Sequence, residues 1–159
     1  QDTEFSDAIS MAFAMEEGMR LFYLELARET SDETFKKLYR KLASFEVEHK
    51  SDLSRKYLAV EGKELIQKEF EDRQIQIMEG GGSADITLIK SLAGTEDALD
   101  IFGLALAFEI QAYDFYVRLS RHTVRPEVKS FFLEMADAEK IHLAFISNEM
   151  DTYLKNHSE

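Results

Sequence analysis

Cysteine is absent from all 159 residues. That excludes disulfides, thiolate zinc sites, iron–sulfur clusters and cysteine nucleophiles together, and it fits a reducing, cytoplasmic setting. Proline occurs once and glycine seven times, little punctuation for a loop-rich chain and ample room for long helices. No run nears eighteen apolar residues, so no membrane partner is expected, and no stretch reads as a signal peptide. The chain begins at Gln1 rather than Met, as expected of a processed or trimmed chain. Cations are scarce: 19 Lys+Arg against 31 Asp+Glu give a net charge of -12. So acidic a chain repels phosphate backbones, and no nucleic-acid partner is expected. What is present, 45% hydrophobic and 31% charged residues, is ordinary globular composition. The length suffices to bury a core without covalent staples.

Helical periodicity marks four segments. The first, about 7–29, carries Ile9, Phe13, Leu21, Phe22, Leu24 and Leu26. The second, about 32–60, follows Thr30-Ser31-Asp32-Glu33, which reads as a capping box. The third, about 96–121, has Thr95 as its expected N-cap, and the fourth, about 126–154, opens on Pro126. Short connections make each pair an antiparallel hairpin, one over about 7–61 and the other over about 95–155. Residues 62–94 form a crossover that includes Gly80-Gly81-Gly82. Within it Lys63 to Met78 reads as helix, while Arg73 to Met78 also alternates like a strand, and both readings stand. A crossover this long spans a bundle end to end. The expectation is a single domain over 1–159: an all-α, ferritin-like antiparallel four-helix bundle of two hairpins.

Shifted by 93 residues, the sequence falls on itself. Glu16, Phe22, Tyr23, Leu26, Arg28, Thr30, Lys36, Ala43, Glu46 and His49 meet identical residues at Glu109, Phe115, Tyr116, Leu119, Arg121, Thr123, Lys129, Ala136, Glu139 and His142. That is ten identities over residues 16–53 without a gap, where unrelated helices give about two or three. The two hairpins are copies, related by a pseudo-two-fold.

The polar residues kept in both copies form a pattern. Glu46-Val47-Glu48-His49 and Glu139-Lys140-Ile141-His142 are both Glu-x-x-His, and residues three apart share a helix face. Thirty residues before each motif's Glu stands another, Glu16 and Glu109. Glu16 and Glu46 each lie about fifteen residues, or ~22 Å, from the first turn, hence at one height in an antiparallel hairpin. Glu109 and Glu139 stand likewise about the turn near residue 124. Four Glu and two His are therefore expected to converge at mid-bundle. Buried together, four carboxylates repel and cost several kcal/mol each in desolvation. Two divalent cations balance them, and neutral imidazoles add donors. A Glu from each of two helices plus Glu-x-x-His from each of the others is the di-metal carboxylate pattern. It suits iron or manganese better than magnesium or structural zinc.

Tyr23 and Tyr116 lie two turns after Glu16 and Glu109 on the same face, placed to hydrogen-bond a ligand carboxylate or to act as radical-capable neighbours. Tyr39, whose counterpart is Phe132, reads as packing. His122 and His157 read as solvated or capping residues, and Glu17, Glu48, Glu134 and Glu149 as a solvated face. Phe22, Phe45, Phe108 and Phe115 are candidates for a dry wall around the site.

On Glu16 with Phe22-Tyr23, Glu46-x-x-His49, Glu109 with Phe115-Tyr116, and Glu139-x-x-His142, the chain resembles the rubrerythrin-like branch of the ferritin-like superfamily. The resemblance implies a non-haem di-iron centre, often in a homodimer, with Glu46 and Glu139 as bridging ligands and Glu16 and Glu109 as terminal ones. This chain lacks the four cysteines of a rubredoxin domain. Where rubrerythrin has an additional Glu, three residues after the third-helix ligand, it has Ala112, which argues against efficient peroxidase turnover. The six remaining ligands match the bacterioferritin ferroxidase set. Val47 stands where bacterioferritin has its haem-binding Met, so no haem is expected, and the fifth helix of storage cages is not evident after Leu154.

The leading expectation is an oxidoreductase that binds two iron ions, or manganese or a mixed pair. It would reduce peroxide or dioxygen with electrons from an external donor. The alternative is a ferroxidase, storing or handling iron, with Fe(II) as substrate drawn by the acidic surface. Third is a sensor or interaction module stapled by metal, with Ile75, Ile77, Ile86, Leu88 and Ile89 of the crossover as a dimer or partner surface.

Overall fold

In a computed structural model of the chain, the described residues are 3–62 and 97–158. They form four helices: α1 Thr3–Glu29, α2 Glu33–Glu61, α3 Ala98–His122 and α4 Pro126–Asn156. Every regular element among the described residues is helical, in keeping with a ferritin-like four-helix bundle. None of these helices is long and apolar enough to cross a membrane. The expected crossover, its helix or strand at 63–78, its glycine run and its isoleucines lie outside the described residues. The chain divides into two compact units, Gln1–Ile89 and Lys90–Glu159, each built on one hairpin.

The helix ends correct the sequence reading in detail. α2 is capped by Asp32, whose carboxylate accepts from the backbone N–H of Thr34 at 2.7 Å and of Phe35 at 3.4 Å. The expected capping box does not form. The Thr30 hydroxyl accepts only from the Asp32 N–H, and Glu33 pairs with Lys36 one turn on. A short charged acceptor next to the first helical residue satisfies those donors directly. The α3 cap lies two residues past the expected Thr95, which falls outside the described residues: Asp97 accepts from the backbone N–H of Leu99 and Asp100. α1 begins at Thr3 rather than near residue 7, and α4 runs on to Asn156. Pro126 occupies the first turn of α4, where its missing N–H costs nothing. α2 ends on Gly62 at φ 68, which donates to the Leu58 carbonyl. That left-handed conformation favours glycine.

Ring pairs fix each hairpin as antiparallel. In the first, Phe5 of α1 stacks on Tyr57 of α2 at 6.1 Å, and Tyr23 on Tyr39 at 6.5 Å. In the second, Phe102 of α3 meets Tyr153 of α4 at 5.9 Å, and Tyr116 stacks on Phe132 at 6.3 Å. Early residues of one helix thus meet late residues of the other. The Tyr23–Tyr39 and Tyr116–Phe132 stacks occupy corresponding places 93 residues apart, so the repeat holds in three dimensions. α1 buries Phe5, Ile9, Ala12, Phe13, Glu16, Met19, Tyr23 and Leu26, a three-four stripe. Leu21 and Leu24, counted on that stripe from sequence, fall between its members and are exposed.

Candidate metal centre

Charged side chains are almost never fully buried unless paired or bound. Among the described residues, the buried Asp, Glu, Lys, Arg and His side chains are Glu16, Glu46, His49, Glu109, Glu139 and His142. The four carboxylates have no solvent exposure at all.

In the first hairpin, the centre of α1 supplies Glu16 and the centre of α2 supplies Glu46 and His49. The His49 Nδ1 lies 3.3 Å from the Glu16 carboxylate and 3.9 Å from Glu46 Oε2. Glu16, Glu46 and His49 each offer a ligand atom within 4.8 Å of the others. In the second hairpin, α3 supplies Glu109, and α4 supplies Glu139 and His142. The His142 Nδ1 lies 3.2 Å from both carboxylates. Burial pulls the His142 imidazole down, but the carboxylates of Glu109 and Glu139 outweigh it and hold its pKa above the ordinary value. In both hairpins Nδ1 is the nitrogen turned to the carboxylates.

The donor set fits a hard or borderline divalent cation. Each hairpin offers two carboxylates, which only accept, and one imidazole nitrogen. Two negative charges per hairpin are matched by one divalent ion, so nothing in either trio is surplus to that balance.

Residues 100–158 match the rubrerythrin family model. That segment is rubrerythrin-like. The rubrerythrin match takes in Glu109, Tyr116, Glu139 and His142. The first hairpin repeats these residues at Glu16, Tyr23, Glu46 and His49. No curated protein and no solved structure gives a further match.

The structure locates the other residues singled out from sequence. Tyr23 and Tyr116 are fully buried. Tyr39 is packing, stacked on Tyr23, and burial pushes its hydroxyl pKa up. Ala112 is buried one turn after Glu109. Phe22, Phe45, Phe108 and Phe115 are only half-buried. His122 is exposed, and His157 stacks on Tyr153 at the end of α4. Glu48, Glu134 and Glu149 are exposed as expected.

Glu17 is a correction. It is not on the solvated face but half-buried, with a bidentate grip on Arg20 at 2.6 and 2.8 Å and a bond from the Lys50 ammonium at 2.5 Å. Lys50 also sits 4.7 Å from the Phe13 ring centroid. Its partner lies 33 residues on, the same offset as Glu16 to His49 and Glu109 to His142. That repeated offset is the signal that could have placed it. The Arg20 bond is the largest influence on the Glu17 carboxyl. With Lys50 it outweighs desolvation and lowers the pKa to about 2. A depressed carboxyl stabilises the fold above its unfolded pKa and loses that contribution as pH falls through the folded value. Glu17→Gln should therefore cost about 1 kcal/mol at pH 7, a figure discounted for partial solvent screening. The deficit should shrink as the pH falls from 4.5 towards 2. Urea unfolding of both proteins at pH 7 and pH 3 measures this.

Proposed function

We propose that the chain is a two-metal carboxylate oxidoreductase, reducing peroxide or dioxygen with electrons from an external donor. The observation that carries this is the burial pattern: the buried Asp, Glu, Lys, Arg and His side chains among the described residues are two copies of one Glu plus Glu-x-x-His set. Glu16, Glu46, His49, Glu109, Glu139 and His142 are the proposed ligands, three from each hairpin.

Bound iron would supply one electron per ion, two in all, which with two protons convert peroxide to two waters. The chain's own contribution is to hold the ligands, exclude water and compensate charge. Complete burial of the carboxylates keeps solvent from competing for the ions. Tyr23 and Tyr116 are proposed to orient ligand carboxylates from the same helix face. Manganese is a candidate for the same donors. A reducing cytoplasm and a homodimer complete the reading.

A second reading, ferroxidase or iron handling with Fe(II) as substrate, is favoured by one observation. The buried position one turn after Glu109 is Ala112, which adds no further carboxylate. Both readings are tested on protein purified without oxygen. Metal per chain is measured, then peroxide and dioxygen are added separately while the visible and near-ultraviolet spectrum is followed. Two irons per chain with faster oxidation by peroxide supports the first reading. Faster oxidation by dioxygen, with assembly far above a dimer of 18.3 kDa chains, supports the second. Failure to bind metal on reconstitution sinks both.

A further inference from the structure

The two copies keep their ligands but differ in what flanks them. In the first hairpin, the residues directly following Glu16 and His49 are Glu17 and Lys50, joined with Arg20 in a half-buried ion triad. Its side chains are 16 to 27% exposed, and its formal charge is +1. In the second hairpin the corresponding positions, 93 residues on, are Ile110, Tyr113 and Leu143, all uncharged. Lys140, which directly follows Glu139, lies 5.5 Å from the Tyr113 ring centroid, but it is exposed and paired with Asp137 at 2.8 Å. Exposed charges such as Lys140, and Glu48 on α2, are screened by water and salt. A half-buried triad one peptide bond from two ligands is screened far less.

We infer that the two trios load unequally: Glu109, Glu139 and His142 take the first divalent cation, and Glu16, Glu46 and His49, beside the positive Glu17–Arg20–Lys50 triad, take the second. This rests on the two-metal reading above and concerns the order in which that centre fills. A positive charge beside a site opposes any incoming cation, whatever its redox chemistry. The chain would thus have a distinct one-metal form with the second hairpin occupied.

The test is anaerobic titration with Mn²⁺, in which electron paramagnetic resonance counts the free ion. Each trio is first isolated by removing the other imidazole. His49→Ala should retain the tight step, and His142→Ala should leave a site weaker by roughly tenfold. Lys50→Met or Arg20→Gln, each bringing the triad to zero charge, should then tighten the site left in His142→Ala by a similar factor. In His49→Ala the same two changes should shift affinity less than about twofold. Two independent neutralising variants guard against one that fails to fold, and circular dichroism of the metal-free proteins identifies such a case. Equal affinity in the two histidine variants, or no response of the His142→Ala site to either neutralising change, overturns the inference while leaving the two-metal reading intact. Wild-type protein that binds no Mn²⁺ and no Fe²⁺ overturns the reading itself.

Discussion

Stripping metal with a chelator should lower the thermal unfolding midpoint by roughly 15–30 °C relative to protein in excess metal. The expectation follows from linkage. A ligand that binds the folded state alone, present at a thousand times its dissociation constant, adds about 4 kcal/mol per site. Two such sites add about 8 kcal/mol, and a domain of this length shifts by about 2–4 °C per kcal/mol. The structural ground is the burial of four carboxylates against two imidazoles. With metal, the carboxylates of each trio gain a counter-charge; without it, they carry the desolvation cost of burial. Differential scanning calorimetry with and without chelator decides the matter. A midpoint that does not move would remove the case for a metal-linked fold.

The second large effect has opposite signs in the two states. Glu46→Met should stabilise the metal-free protein by about 1–4 kcal/mol, as replacement of buried charge by an apolar group of similar volume often does. It should also remove the first hairpin's share, about half, of the metal-dependent rise in the midpoint. The geometry explains why this removal leaves His49 a carboxylate partner. His49 stays 3.3 Å from Glu16, while its separation from Glu46 is the longer 3.9 Å. Glu139→Met should behave likewise, because His142 keeps Glu109 at 3.2 Å. Thermal melts and metal analysis of the two variants check this. If metal-free Glu46→Met melts below the parent and keeps the parent's full metal-dependent rise, Glu46 is a structural acid rather than a ligand.

Much of the fold was legible because long helices announce themselves by composition and period, and because the 93-residue repeat supplied a second reading of every position. The antiparallel hairpins and the buried Glu and His residues follow from spacing within the chain. Solvation of single residues was harder to read. Glu17 lies next to Glu16 on one helix, and nothing local distinguishes a solvated carboxylate from one gripped by Lys50 across the hairpin. Leu21 and Leu24 carry the right chemistry for a core stripe but sit between its members. The caps at Asp32 and Asp97 went to carboxylates within two residues of the expected positions. Several neighbouring residues could cap, and backbone geometry chooses among them.

The duplication turns the molecule into its own control experiment. Any substitution in the first hairpin has a twin 93 positions later, in the same chain and the same test tube. Where the twins respond alike, as expected for Glu46 and Glu139, the response belongs to the ligand. Where they diverge, as expected when His49 and His142 are removed, the difference belongs to the surroundings, and Glu17, Arg20 and Lys50 against Ile110, Tyr113 and Leu143 are the first places to seek its cause.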